Sequence, residues 1–414
     1  MLTILLAALT IVPMENIAPG DLVHFEQENT TGVYMGDNKF VHVVEDKVQV
    51  GHLDDPEWNC QIKTALTEME KPCSFAQDTP EAAESFDDQF SFYFLNEQKL
   101  PLVISPKDPN VSLPLFQEWI DGHRAQLLSL LSSHGGLLLR GFPVAKAEDF
   151  AAVVQTVLNK ELLDYKGGEG SRRRVAKGVY TSTEAPPQFK IPLHNELSCT
   201  DNPPGHICFY CDIAPAPGSG QTILASTAKI TRDIQALPDL WNLFHGKTIH
   251  YISRHPPEGS YFNKVNPTHK TWPNVFETKD KAEAEAICLK KGFAYRWLGD
   301  WIEVTRSAPA TRGPYWFNQA HLYHANPRIR GGMLYHTLAN MLYIVPSTNQ
   351  YDVQFSDGTP ITQEVIYQVY DVLDQNTVKF DWQKNDVLIL DNIEALHGRA
   401  PYAGPRRILV SMVP

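Results

Sequence analysis

The sequence predicts a mainly β fold in which short strands form a sandwich or jelly roll flanked by helices. Beyond Lys190 most segments are short, rich in β-forming residues and separated by Pro and Gly, as strands joined by turns are. Two amphipathic helical patterns precede these strands, over 113–136 and 147–163, and two more interrupt them, over 278–292 and 362–376. Helices before and within a set of short strands do not suit a doubly wound parallel sheet.

The chain has room for a large catalytic domain with an appended module. Residues 1–75 hold short apolar runs broken by turn residues, with "GDNK" as a hairpin turn, and are predicted to form a small α+β module. An acidic stretch that also contains Ser and Pro, residues 76–91, is predicted to be a linker. Residues 92–414 are predicted to form one continuous domain.

The first twelve residues are mostly apolar but too few to span a bilayer, which takes about 20 residues. They also lack the basic residues and the cleavage site of a secretory signal. Six cysteines without paired spacing suit a reducing compartment. The sequence therefore favours a cytoplasmic protein without a membrane span, while a weak signal or anchor stays open.

The charge of the chain argues against nucleic acid as a partner. The formal net charge is −12 and there is no long basic run, whereas phosphate binding needs a concentrated field of Lys and Arg. The dense basic patch in "SRRRVAKG" is either a solvated loop or a patch that attracts an anionic substrate to a pocket mouth. A small-molecule substrate is the expected partner.

Three residues form a candidate metal site. In "KIPLHNELSC", His194 and Glu196 are two apart, so in a regular strand they would project from the same face. They are either two ligands of a metal or an exposed ion pair. His397 follows the apolar strand pattern "DVLILDN", and two imidazoles with one carboxylate are the facial triad of non-haem Fe(II) oxygenases.

Two arginines after the triad could bind the remote carboxylate of a keto acid, because a guanidinium fork forms a bidentate, charge-assisted contact. Arg406 and Arg407 stand at the start of the next predicted strand, "RRILVSMV", and adjacent strand residues face opposite sides. Arg407 shares its face with Ser411, whereas the face of Arg406 is otherwise apolar. This alternation slightly favours Arg407 as the carboxylate ligand.

Several fragments together resemble the TauD/TfdA, or taurine dioxygenase-like, family of Fe(II)- and 2-oxoglutarate-dependent oxygenases, in its syringomycin-biosynthesis-like branch. They are "LHNE", "GSGQT", "WFNQAHLYH", "DVLILDN" and "HGRAPYAGPRRILVSM", and the resemblance runs from about residue 95 to the C-terminus. It implies a double-stranded β-helix (jelly roll) of the clavaminate synthase type. It also implies Fe(2+) as cofactor, 2-oxoglutarate and O2 as co-substrates, and hydroxylation of a small amino-acid-like or carboxylate- or amine-bearing substrate with release of succinate and CO2.

The resemblance also implies residue roles. His194, Glu196 and His397 would bind iron, Thr222 would contact 2-oxoglutarate, and Arg406 or Arg407 would bind its distal carboxylate. Weaker candidates for substrate contact, each of which could equally be structural, are Asn195, Trp316, Asn318 and Gln319.

The N-terminal block resembles the opening of a lecithin retinol acyltransferase-like domain, in "IAPGDLVHFEQENTTGVYMGDNKFVHVV". That chemistry needs a His to activate a Cys thiolate. The first His of the family pattern falls on Thr30 and the second on His42, and neither Cys60 nor Cys73 stands at the expected distance. The block is interpreted as degenerate or truncated. Acyltransferase or hydrolase activity in this block, or a non-catalytic binding protein, remain the alternatives.

Overall fold

The computed structural model describes residues 83, 85–164, 172–182, 185–266, 269–329, 336, 339–340, 345 and 348–414, together with the backbone of seven strands before them. The chain divides into two compact units, Met1–Gln77 and Asp78–Pro414. No helix in this described part is long and apolar enough to cross a membrane.

The described part of the first unit is an antiparallel sheet with the strand order β1-β6-β2-β3-β4-β5. Thr30 begins β3 and His42 lies in β4, whereas Cys60 and Cys73 lie outside the described residues. A degenerate or truncated module therefore stays the prediction for this unit, with Cys/His chemistry as its alternative. The strands are β1 (Leu9–Val12), β2 (Leu22–Phe25), β3 (Thr30–Gly36), β4 (Lys39–Val44), β5 (Lys47–His52) and β6 (Ile62–Glu68).

The described elements of the second unit are, in chain order, β7 (Glu81–Ala82), β8 (Phe90–Phe94), β9 (Leu102–Pro106), α1 (Leu113–His134), β10 (Gly136–Leu139), α2 (Ala147–Leu158), β11 (Arg174–Ala176), β12 (Val179–Thr181), β13 (Ile191–His194), β14 (His206–Ile213), β15 (Thr222–Ser226), α3 (Thr227–Gln235), α4 (Pro238–Phe244), β16 (Thr248–His255), α5 (Tyr261–Val265), α6 (Trp272–Phe276), α7 (Lys281–Lys290), β17 (Ala294–Leu298), β18 (Trp301–Pro309), β19 (Thr311–Arg312), β20 (Tyr315–Trp316), α8 (Ala320–Tyr323), β21 (Tyr351–Phe355), α9 (Gln363–Gln375), β22 (Val378–Phe380), β23 (Val387–Asp391), β24 (Ala395–Arg399) and β25 (Arg407–Val413).

Part of the predicted linker belongs to the second unit. β7 pairs antiparallel with β8 at the edge of a sheet, so the linker prediction over 76–91 is wrong for the residues of these two strands. Asp87 fixes the turn between the two strands, because its carboxylate accepts hydrogen bonds from the backbone N–H of Gln89 and from the Trp119 indole at 2.7 Å each. The acidic composition that suggested a linker thus includes a carboxylate that ties this edge to α1.

Two sheets form the body of the second unit. The large sheet has the order β11-β12-β25-β14-β23-β10-β9-β8-β7, and the small sheet has the order β13-β24-β15-β22. Their facing side chains share one core cluster, in which Phe209 and Leu388 of the large sheet pack with Leu224 and Phe380 of the small one. The two sheets are the layers of a double-stranded β-helix, as predicted.

The flanking helices cover the outer face of the large sheet. α1 begins after Ser112, whose hydroxyl caps the helix, and ends at Gly135 in the left-handed conformation that glycine adopts without strain. α1 and α2 pack through residues such as Ile120 and Val153 on sheet residues such as Leu139 and Ile389. Because every residue of β10 and all but the last of β23 are buried, the sheet is covered on both sides at its centre.

The chain between the small-sheet strands β15 and β22 forms a separate layer. Its sheet has the order β17-β18-β16-β21, and α3, α8 and α9 pack beside it in one apolar cluster that includes Ile230, Tyr251 and Ile366. The two helices predicted to interrupt the strands correspond to α7 and α9.

Candidate active site

Two imidazoles lie opposite each other on paired strands of the small sheet. His194 is the last residue of β13 and pairs in antiparallel register with His397 of β24, and their ring centroids lie 4.4 Å apart. His194 Nδ1 lies 2.9 Å from the carbonyl oxygen of Pro192. Because a carbonyl oxygen only accepts hydrogen bonds, Nδ1 carries a proton, which in the neutral ring leaves the lone pair on Nε2.

Glu196 reaches the imidazoles from a turn. β13 ends at His194 and Leu197 has a φ of 53°, so the expectation that a regular strand aligns His194 with Glu196 is wrong. Asn392 holds the turn from both sides. Its Oδ1 accepts a 2.7 Å hydrogen bond from the Glu196 N–H, and its Nδ2 donates to the carbonyl oxygens of Glu196 at 3.0 Å and Pro204 at 2.8 Å.

The three side chains converge on one point. Glu196 Oε2 lies 3.7 Å from Nε2 of His194 and 3.6 Å from Nε2 of His397, and the three ligand atoms lie within 4.8 Å of one another. Burial, and next the proximity of His194, lower the pKa of His397 to about 4, so its imidazole is neutral at physiological pH. Two imidazoles with one carboxylate are a donor set that suits Fe(II), and these residues could hold a metal ion.

Arg172 neutralises the buried carboxylate. Its Nη2 donates a 2.8 Å hydrogen bond to Glu196 Oε1, and the two side chains are only 5% and 8% exposed. Burial alone would raise the pKa of Glu196, but the Arg172 guanidinium, and next the two neighbouring imidazoles, hold that pKa well below its usual range. Glu196 is therefore ionised at neutral pH.

The triad opens into a cavity between the two sheets. The cavity has about 470 Å³ of empty space, counted with its opening to solvent. Its polar lining residues include the triad together with Arg172, Thr222, Arg399 and Arg406, and its apolar lining residues include Ile191, Phe209, Ile408 and Val410.

Two of the three arginines that line the cavity, Arg399 and Arg406, have different hydrogen-bond partners. Arg399 lies two residues after His397 in β24, and its guanidinium donates to the carbonyl oxygens of Ala185, Pro186 and Phe189. Arg406 Nε donates a 2.9 Å hydrogen bond to the Gly220 carbonyl oxygen, and this is the only hydrogen bond of its side chain among the described residues. The two terminal nitrogens of Arg406 are therefore available to an anion.

Arg407 does not reach the cavity. Its side chain is 56% exposed and forms an ion pair with Asp212 on the surface. The preference for Arg407 is wrong because Ser411, the polar residue that suggested it, lies on the face that packs outward, and its hydroxyl donates to the Gly178 carbonyl oxygen. The cavity face is the apolar one, with Ile408 and Val410 beside Arg406.

Comparison with known proteins identifies the family. The sequence model of the taurine catabolism dioxygenase TauD, TfdA family matches residues 97–413. The chain belongs to the TauD/TfdA dioxygenase family. A clavaminate synthase-like protein of Arabidopsis thaliana is 31% identical over 317 residues, 75% of this chain and 93% of that protein. The dapdiamide synthesis protein DdaC of Enterobacter agglomerans is 32% identical over 292 residues, 69% and 83% of the two chains. Among solved structures, PvcB of Pseudomonas aeruginosa aligns at 19% identity with a TM-score of 0.43, covering 81% of this chain and 94% of that chain.

Membership of the TauD/TfdA family establishes the class of enzyme. The protein is a non-haem dioxygenase that depends on Fe(II) and 2-oxoglutarate and consumes O2. The donor set of His194, Glu196 and His397 fits that metal on its own chemistry.

The four weaker substrate candidates lie away from the cavity wall among the described residues. Asn195 is fully buried and donates through Nδ2 to the carbonyl oxygen of Asn392 at 2.8 Å. Trp316 is buried in the core cluster beside the third sheet. Asn318 donates to the Ala310 carbonyl oxygen, and Gln319 begins α8 with its N–H directed at the Tyr251 hydroxyl. Their contacts are structural, so their prediction as substrate residues is not supported by this geometry.

Three site residues were missed by sequence reasoning. Arg399 had a usable signal, since its position two residues after His397 in one strand places both on one face. Asn392 closes the motif "DVLILDN" but offered no sign of its contact with Glu196. Arg172 stood in the basic patch, where nothing in the sequence separates its buried side chain from the exposed Arg173 and Arg174.

Proposed function

We propose that His194, Glu196 and His397 bind the Fe(II) of this dioxygenase and that Thr222 and Arg406 bind the distal carboxylate of 2-oxoglutarate. The observation that carries the proposal is the convergence of three ligand atoms within 4.8 Å in a cavity that Thr222 and Arg406 also line. Bound Fe(II) would supply the redox chemistry by which O2 is consumed while 2-oxoglutarate is converted to succinate and CO2. A facial triad leaves three coordination positions for these co-substrates.

The carboxylate site is supported by hydrogen-bond geometry. The Thr222 hydroxyl accepts a 3.0 Å hydrogen bond from the Trp382 indole, so its own proton is directed elsewhere and can be donated to a ligand. Thr222 and Arg399 pair across β15 and β24. Burial, and next the charge of Arg399, lower the pKa of Arg406 to about 10, so it stays cationic at neutral pH. An anion at this point would relieve the repulsion between the two guanidinium groups.

We propose a small substrate with a carboxylate or amine group and hydroxylation as the outcome. The apolar lining residues Ile191, Phe209, Ile408 and Val410 can pack a carbon skeleton, while the arginines that line the same cavity can bind polar groups. A cytoplasmic location is also proposed. It is supported by the four described cysteines, Cys199, Cys208, Cys211 and Cys288, all of which are buried free thiols.

Anaerobic titration tests the site assignment. Wild-type protein with Fe(II) should develop a weak visible charge-transfer band when 2-oxoglutarate is added, because keto-acid chelation needs two adjacent open positions. His194→Ala and His397→Ala should each lose the band at stoichiometric iron. A band that survives unchanged in either variant would show that the ligands are other residues. Succinate release stimulated by members of a small-molecule library would then identify the substrate class.

A further inference from the structure

The two carboxylate oxygens of Glu196 face different partners. Oε2 points at the two imidazoles, 3.7 Å from His194 Nε2 and 3.6 Å from His397 Nε2. Oε1 accepts the hydrogen bond of Arg172 Nη2 at 2.8 Å. Because both side chains are over nine-tenths buried, solvent competes little for this ion pair.

Arg172 comes from a different part of the fold than the triad. It lies two residues before the start of β11, at the edge of the large sheet, whereas His194 and His397 lie on the small sheet. The hairpin beside it is fixed, since Arg173 and Thr181 exchange two hydrogen bonds of 2.8 Å and β12 pairs with β25. The guanidinium therefore reaches Glu196 from an anchored position across the cavity.

We propose that Arg172 is a positioning residue that keeps Glu196 a monodentate metal ligand and so preserves one open coordination position. The proposal rests on the proposed function, in which the triad binds iron. A carboxylate can bind a metal through one oxygen or both. A facial triad leaves three positions, of which a chelating keto acid takes two and O2 takes one. A second oxygen of Glu196 on the metal would occupy a position that this count requires, and the hydrogen bond from Arg172 engages that oxygen.

If Arg172 only balanced the charge of Glu196, its removal would change ligand affinities but not the number of water molecules on the metal. Removing a cation next to the metal changes the affinity for metal and for 2-oxoglutarate whatever the carboxylate does. The number of water molecules on the metal, by contrast, changes only when another protein atom enters the coordination sphere. That number is therefore the quantity to measure.

The test uses the full-length protein loaded with Mn(II) in place of iron, without 2-oxoglutarate, and counts bound water by water-proton relaxation. Wild type should hold about three waters on the metal, and Arg172→Ala about two, a loss of roughly one third of the inner-sphere relaxation. Arg172→Lys, which keeps a donor and a charge, should return towards the wild-type value. Arg174→Ala, an exposed neighbour in β11, is the matched control and should equal wild type.

The outcomes separate the role of Arg172 from the assignment of the metal ligands. Arg172→Met keeps the length of the side-chain stem and replaces Arg172→Ala if that variant does not fold. An unchanged water count in the folded variant, or loss of metal binding, would overturn the role of Arg172. Failure of His194→Ala and His397→Ala to weaken Mn(II) binding would instead overturn the triad assignment itself.

Discussion

The groups around the cavity fall into two sets that the fold holds by different means. The strand-borne groups, His194, His397, Thr222 and Arg399, lie on the small sheet, where the register of β13, β24 and β15 places them. The loop-borne groups, Arg172, Glu196 and Arg406, lie outside the strands and are held by hydrogen bonds that involve side chains. A backbone ladder tolerates the loss of one side chain, whereas a side-chain clamp does not. The loop-borne groups should therefore be the more sensitive to single substitutions.

Asn392→Ala should have the largest effect, because it removes the clamp on the Glu196 turn. The N–H and carbonyl of Glu196 and the carbonyl of Pro204 would lose their partner in a buried site, which should lower the free energy of unfolding by about 2–5 kcal/mol. Metal affinity should fall about 10- to 100-fold, as it does when residues that orient metal ligands are removed. Urea unfolding and Mn(II) titration measure the two effects.

Asn376→Ala is the control for that prediction. Asn376 is equally buried and donates to Asp233 and to the Val372 carbonyl oxygen, but it does not line the cavity. Its loss should destabilise the fold without changing metal affinity. Equal metal affinities in both variants would mean that Asn392 is only a stabilising residue.

Arg406→Ala should weaken 2-oxoglutarate binding while leaving metal binding intact. Truncating one partner of a buried charged hydrogen bond costs about 2–5 kcal/mol, so the apparent affinity should fall about thirty-fold or more. Arg407→Ala should change it little, since an exposed ion pair such as that with Asp212 contributes about 0–1 kcal/mol. Titration of the charge-transfer band compares the two. Equal, small losses would mean that neither arginine binds the co-substrate.

Sequence reasoning named His194, His397 and Thr222 among the strand-borne groups but not Arg399. Among the loop-borne groups it named Glu196 and Arg406 without the loop conformations that place them. Local patterns predicted the helices α1, α2, α7 and α9, the jelly roll, and His194 and His397 as candidate metal ligands, whereas Thr222 was implied by the family resemblance. The conformation of a loop depends on partners distant in sequence, such as Asn392 for Glu196 or Gly220 for Arg406. For this reason the strand alternation applied to Glu196 and the preference for Arg407 were wrong, and Arg172 was not recognised.

Acid should lower the free energy of unfolding through His321, which packs against the strand-borne half of the site. This buried imidazole contacts the carbonyl oxygen of Leu193 in β13, and burial lowers its pKa to about 4. Below its ordinary pKa of about 6.5, the unfolded chain binds a proton that the folded protein excludes, so the free energy of unfolding falls by about 1.4 kcal/mol per pH unit down to about pH 4. Above pH 6.5 the contribution vanishes.

Comparison of wild type with His321→Gln isolates this effect, because His397 titrates in the same direction in both proteins. The stability lost between pH 7.5 and 5.5 should be smaller in the variant by about 1.4 kcal/mol. Urea unfolding at the two pH values measures it. Identical losses would show that His321 accepts its proton in the folded state as easily as in the unfolded one.

Gly220→Ala should have the smallest effect and should act on the loop-borne Arg406. Gly220 has a φ of 60°, and a Cβ there would lie 2.9 Å from Cδ of Arg406 and 2.9 Å from Cβ of Tyr402. The backbone strain alone costs about 1 kcal/mol, and Gly218→Ala, at a φ of 76° with no atom within 4 Å, reproduces that strain without the contact. Gly220→Ala should therefore bind 2-oxoglutarate about fivefold more weakly than Gly218→Ala does, which corresponds to about 1 kcal/mol. If the two glycine variants bind 2-oxoglutarate equally well, Arg406 can adjust its position and the loop holds it less rigidly than the strands hold Thr222.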